Sequence, residues 1–119
     1  ECENVELVND SIEKFKTDRM FDVIVSNPPY IPLSDKKLVD SLVIDNEPKT
    51  ALFTQDDPLY FYRKILVFAK KNLNEGGRIY LEINELYVNE VLDLFQGYNP
   101  ESMRDFYGKN RFIICNTCK

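Results

Sequence analysis

The tightest constraint on this chain lies at residues 21–30, Phe-Asp-Val-Ile-Val-Ser-Asn-Pro-Pro-Tyr. Val23, Ile24 and Val25 form an apolar, β-branched run, the pattern of a strand buried on both faces. Pro28 and Pro29 follow Asn27 directly. Neither proline can donate to a sheet ladder, so the strand must end there. Each also pushes the residue before it out of the right-handed helical region. The outcome is a stiff, extended loop at the carboxyl end of a strand, the place where open α/β sheets bind ligands.

The residue types of the loop suggest a chemistry. Asn27 offers a side-chain carbonyl oxygen, and Pro28 a main-chain carbonyl with no ladder partner. Two acceptors so placed can hold both hydrogens of an –NH2 group. Pro29 stiffens the turn, and Tyr30 adds a flat face for a planar amide or base. The site would hold a planar, NH2-bearing substrate with its nitrogen aimed for attack. Turn chemistry explains the same Asn and prolines with no ligand at all. Four residues alone leave both readings open.

The rest of the chain alternates strand and helix patterns. Residues 5–8, Val-Glu-Leu-Val, read as a short strand, followed by a turn at 11–16 that Asp10 or Ser11 would cap. A polar stretch runs from the Asn-Pro-Pro-Tyr loop to about residue 57, with a short helix expected at 34–42. A loop of that length is uncommon unless it is functional, which suits a substrate-facing wall carrying Glu47-Pro48. Asp57-Pro58 starts a helix, with Tyr62, Ile65, Leu66, Ala69 and Leu73 as its inward stripe. Asn74-Glu75-Gly76-Gly77 stops it, a glycine supplying the left-handed conformation. A strand at 78–83, a helix at 86–95 broken at 97–100, and a hairpin of 101–106 with 111–116 complete the pattern. Strands separated by helices, then a closing hairpin, describe an α/β sheet with a mixed edge.

Bulk properties exclude several classes. At 119 residues the chain is one domain at most. Fifteen basic against twenty acidic residues give a net charge of −5, which makes a poor non-specific binder of nucleic acid. No apolar run approaches membrane-spanning length, and no signal peptide is visible. Three cysteines and no secretory signal suit a reducing cytoplasm. Cys115 and Cys118 form a Cys-x-x-Cys, but with Cys2 as the remaining thiol and no histidine they cannot complete a four-ligand zinc site. A redox pair would open a helix, whereas this one ends a strand. Glu1 is not an initiator methionine, so the chain is expected to be a piece of a longer protein.

Asn27-Pro28-Pro29-Tyr30 behind its β-branched strand resembles the signature of amino-group methyltransferases that use S-adenosylmethionine. More of the chain is similar to one branch, the release-factor glutamine methyltransferases (the HemK or PrmC family). Ile31-Pro32, Glu47-Pro48, Ala51-Leu52, Phe61-Tyr62-Arg63, Gly76-Gly77 and Leu81-Glu82-Ile83 follow in that family's order. Asp105, Gly108 and Arg111 resemble its closing hairpin. The similarity covers nearly everything from Phe21 onward. Where the family has a small residue, this chain has Pro58.

The resemblance implies a partial Rossmann-like class I methyltransferase fold, a mostly parallel sheet with an antiparallel closing hairpin and its first strands missing. Residues 1–119 would be the C-terminal portion of the catalytic domain. It implies S-adenosylmethionine as cofactor, touched by Asp10 and Asn27. Asn27 and Pro28 would be catalytic, and Asn27, Pro28, Pro29, Tyr30 and Glu47 would bind substrate. The substrate would be the glutamine of the Gly-Gly-Gln loop of peptide-chain release factors. An adenine-amino methyltransferase, stacking a flipped base on Tyr30, is the alternative within the same chemistry. A non-catalytic binding or dimerisation piece is the alternative outside it. Gly76, Gly77, Gly97 and Gly108 are the chain's four glycines, and none makes the glycine-rich turn that a nucleotide site of this fold needs. In the family's strand order, 3-2-1-4-5-7-6, loss of two strands would open a gap of about 14 Å beside the central strand. Either residues 5–8 slide across to pair with it, or its edge pairs with a second copy as a homodimer.

Overall fold

A computed structural model describes residues 3–29, 31–32, 53–54 and 57–117. The expected helix at 34–42, Tyr30, Glu47, Cys2 and Cys118 lie outside the described residues.

Four strands form the main sheet: β1 (Phe21–Ser26), β4 (Leu73–Glu82), β5 (Glu101–Arg104) and β6 (Asn110–Asn116), in spatial order β1-β4-β6-β5. β2 (Ile31–Pro32) and β3 (Phe53–Thr54) pair in parallel as a separate short ladder. Two helices, α1 (Tyr60–Asn72) and α2 (Val88–Leu94), connect β3 to β4 and β4 to β5. The result is α/β, as expected, but the sheet is mixed rather than mostly parallel. Only β1 with β4 runs parallel, while β4 with β6 and β5 with β6 are antiparallel.

The helices pack on one face of this sheet. Tyr62, Ile65 and Ala69 from α1 meet Ile79, Leu81, Ile113 and Cys115 from β4 and β6, with Val91 and Phe95 from the second helical segment, all buried. Tyr62, Ile65 and Ala69 of the expected α1 stripe are buried, with Leu66 at its half-buried margin, while Leu73 opens β4 instead. Each fully buried aliphatic or aromatic side chain contributes about 1.5–3 kcal/mol relative to exposure.

Several expectations need correction. Val23 and Val25 are 51% and 75% exposed, so β1 is not buried on both faces. Alternation sends Ile24 into the core and its two neighbours to a face that no described element covers. Residues 5–8 form no strand, and Leu7 is 92% exposed. They did not slide across to β1, which among the described strands pairs with β4 alone. Extended chain with no ladder partner has nothing to offset its ordering entropy.

Asp57 Oδ1 accepts from the Leu59 N–H at 2.9 Å, so the Asp57-Pro58 signal makes the turn before α1, and the helix begins at Tyr60. α1 stops at Asn72 without glycine, because Leu73 is already extended. The glycines do other work. Phe21 pairs with Leu73 and Val23 with Arg78, two steps on β1 against five on β4, so Asn74-Glu75-Gly76 bulge out of the ladder. Gly76 takes φ 76° to make that bend. A Cβ on Gly77 would lie 2.7 Å from Leu73 Cδ1 and 2.8 Å from the Asn74 carbonyl. The helix expected at 86–95 is a 3-10 turn (Glu85–Tyr87) leading into α2, because the Asn84 side chain accepts from Leu86 N–H and tightens the entry. Beyond a second 3-10 turn (Gln96–Tyr98), Asn99 at φ 46°, rather than Gly97, takes the left-handed position.

The closing hairpin stands where it was expected, knitted by one carboxylate. Asp105 Oδ1 accepts from the N–H groups of Tyr107 (2.8 Å) and Lys109 (3.1 Å), and Oδ2 from Arg111 Nε at 3.2 Å. Gly108 at φ 76° completes the turn. Some desolvation opposes ionisation of Asp105, but those N–H donors and the Arg111 guanidinium hold its pKa below the usual carboxylate value.

Candidate active site

β1 delivers Asn27 to the carboxyl end of the sheet. The strand ends at Ser26, after which Asn27 is exposed, Pro28 buried and Pro29 half-buried. The division is chemical: the Pro28 ring is apolar and carries no N–H to satisfy, while the Asn27 amide stays outside. The buried ring therefore anchors the loop from behind.

β1 and β4 last pair at Ser26 and Leu81, and Asn27 and Glu82 are the next residue on each segment. Alternation places both on the face without helices. They border a cleft of about 400 Å³ whose side-chain wall is Val25, Tyr80, Met103, Phe112 and Ile114. Glu82 is half-buried and is the one carboxylate among the described residues lining the cleft. Its main-chain carbonyl accepts from the buried Tyr62 hydroxyl at 2.9 Å, which fixes the end of β4. Tyr62 is core, as its place in the α1 stripe implied.

Asp10 is not brought to this cleft. It is exposed, its Oδ1 accepts from the Ser11 N–H at 2.8 Å, and it borders a separate hollow of about 240 Å³ with Val8, Ile12 and Phe15. This bond to the adjacent N–H sits at the start of the turn whose Lys14 and Phe15 N–H groups donate to the Ser11 carbonyl. Cys115 is buried, and burial pushes its thiol up to about 12. A thiol so held forms almost no thiolate at neutral pH, which removes it from redox chemistry.

A larger hollow, about 440 Å³, lies between residues 12–18 and α1. It marks a docking seam. Phe68 packs against Phe15 and Phe21, each at 5.9 Å between ring centroids. The buried Asn72 amide donates to the carbonyls of Thr17 (2.9 Å) and Arg19 (2.8 Å). Neither this clamp nor the Met103–Phe112 wall is among the residues picked from the sequence. The only signal for the wall is the two-residue alternation of the hairpin, which does not say which face carries the site.

Comparison with known families matches residues 2–112 to the model described as Eco57I restriction-modification methylase. The chain belongs to that methylase family. It is 43% identical over 100 residues to the release factor glutamine methyltransferase of Flavobacterium psychrophilum, 81% of this chain and 35% of that protein. The enzymes of the same name from Bacteroides thetaiotaomicron and Lactococcus lactis are 38% and 36% identical, over 81% and 94% of this chain and 36% and 45% of theirs. The chain thus spans little more than a third of the length of the first of these relatives, within their C-terminal part. The resemblance carried by Asn27-Pro28-Pro29-Tyr30 and the ordered elements after it is borne out, and its relatives are enzymes.

Proposed function

We propose that this chain is the substrate-side, C-terminal portion of a cytoplasmic methyltransferase domain. It would act on the side-chain amide of glutamine in peptide-chain release factors, with S-adenosylmethionine as donor. The observation that carries the reading is Asn27, an exposed amide over an apolar cleft, anchored by buried Pro28. The names of the relatives supply the substrate. The strand order β1-β4-β6-β5 supports the class I, Rossmann-like assignment, since it follows strands 4-5-7-6 of that order.

An amide nitrogen is a weak nucleophile, because its lone pair is delocalised into the carbonyl. Asn27 Oδ1 and the Pro28 carbonyl would accept its two N–H groups, turn the lone pair outward and favour the positive charge that grows on nitrogen. That is orientation plus preorganised electrostatics, with no general base required before attack. Pro29 fixes the loop, and Tyr30 and Glu47 are assigned to the substrate wall.

S-adenosylmethionine, when bound, supplies an electrophilic methyl group. Asn27 and Asp10 are the residues of this chain assigned to touch it. They fit only part of such a molecule: Asp10 Oδ1 is already taken by Ser11, and no glycine-rich turn follows an early strand. The remaining donor contacts are assigned to the length of the relatives that this chain does not span. The chain alone should accordingly show no micromolar affinity for S-adenosylmethionine in calorimetry. The edge of β1 that no described strand pairs is where a second copy would pair, which sedimentation of the isolated chain would reveal as a dimer.

A second reading is methylation of an adenine amino group, and the family model's description as a restriction-modification methylase keeps a nucleic-acid substrate in view. Adenine presents the same planar –NH2 to Asn27 and Pro28. The net charge of −5 counts against a nucleic-acid substrate, and the relatives at 36–43% identity bear the other name. The deciding experiment offers the full-length protein a release factor and an adenine-containing oligonucleotide with labelled donor. Label on the glutamine supports the first reading, and label on adenine replaces it with the second.

A further inference from the structure

We infer that Glu82 is a specificity-determining residue of this site, selecting a peptide segment rich in N–H donors or positive charge and rejecting phosphodiesters. The inference rests on the assignment of Asn27 and Pro28 as the amide grip.

Three observations carry it. Glu82 follows Leu81, the ladder partner of Ser26, and borders the same cleft as Asn27. Its backbone is fixed by the Tyr62 hydroxyl, so the side chain starts from an anchored strand end rather than from a loop. Among the described residues that carboxylate makes no ion pair or side-chain hydrogen bond. It shares the cleft with the apolar Val25, Met103, Phe112 and Ile114 and with Ser26, Asn27 and Tyr80.

An ionised carboxylate only accepts hydrogen bonds. Glu82 is the one charged residue among the described residues lining the cleft. The ligand surface flanking the reacting –NH2 is therefore favoured when it brings donors or positive charge, such as main-chain N–H groups of a glycine-rich loop, a lysine or an arginine. A phosphodiester brings only acceptors and a negative charge. Placed beside Glu82 in an apolar wall it would be repelled, which is how a site excludes a wrong partner while favouring the right one.

The test compares wild type, Glu82→Gln and Glu82→Lys in the full-length protein. Affinity for a release factor and for a single-stranded, adenine-containing oligonucleotide is read by fluorescence anisotropy, with no donor present. Loss of charge-assisted hydrogen bonds should weaken release-factor binding by about 10- to 100-fold in Glu82→Gln. Glu82→Lys should weaken it further and raise oligonucleotide affinity. Unfolding curves matching wild type would place the effect in recognition, and the isosteric Gln variant guards against a folding defect in Lys. Release-factor affinity within twofold of wild type in Glu82→Gln overturns the inference, as does tight oligonucleotide binding by wild type. Failure of the underlying assignment looks different: Asn27→Ala would then methylate as fast as wild type, whatever Glu82 does.

Discussion

The two faces of the sheet are built from the same strands and have opposite characters. On one, Ile24, Ile79, Leu81, Ile113 and Cys115 close against α1 and α2. On the other, Val23, Val25, Met103 and Phe112 stay exposed beside Tyr80 and Ile114, with Asn27 and Glu82 at the rim. A residue and its successor on one strand thus do different jobs. The covered face holds the fold together, and the bare face carries the candidate site. The hydroxyl of Tyr62 links them, reaching from the core to the carbonyl of Glu82.

Substitutions on the two faces should separate sharply. Phe95→Ala empties a fully buried position and should cost about 3–5 kcal/mol in denaturant unfolding. Val25→Thr, on the bare face, should stay within about 0.5 kcal/mol. Equal losses would mean that the second face is also packed in solution, by a further segment or another copy.

Asn27→Ala reverses the contrast. Stability should hardly change, because the side chain is exposed, while turnover of the full-length enzyme should fall by about 10²–10³ with donor affinity intact. Turnover within a few-fold of wild type would remove Asn27 from the mechanism.

Asn72→Leu probes the seam that ties residues 17–19 to α1. It strips the donors from two carbonyls and should cost about 1–3 kcal/mol, with faster amide exchange in residues 12–20. Unchanged exchange there would mean that the aromatic packing of Phe68 suffices alone.

The smallest effect concerns acid. The folded pKa of Asp105 is lowered, so its contribution is fully present above the unfolded carboxylate value, about 3.9. It is lost as pH falls through the lower folded value. Asp105→Asn should remove that part of the acid dependence. An unchanged acid limb in the variant would deny Asp105 its role in the turn.

Much of this was legible in the residues. The β-branched run halted by Pro28-Pro29 gave the end of β1, because proline's missing donor acts without regard to context. The α1 stripe and the closing hairpin followed from periodicity, and the ordered motifs pointed to the methylase family. Local chemistry sufficed wherever the deciding force was local.

Tertiary structure decided the rest. Val23 and Val25 read as doubly buried, yet burial depends on what lies opposite a strand, and the strand's own residues do not specify it. Residues 5–8 have the alternation of a strand, but a strand exists only through its partner's hydrogen bonds, and none of the described strands pairs with them. Gly76-Gly77 read as a helix stop, while the ladder with β1 turned it into a bulge. Glu82 joined the cleft only through the pairing of Ser26 with Leu81, a relation between two segments more than fifty residues apart that strand register alone can set.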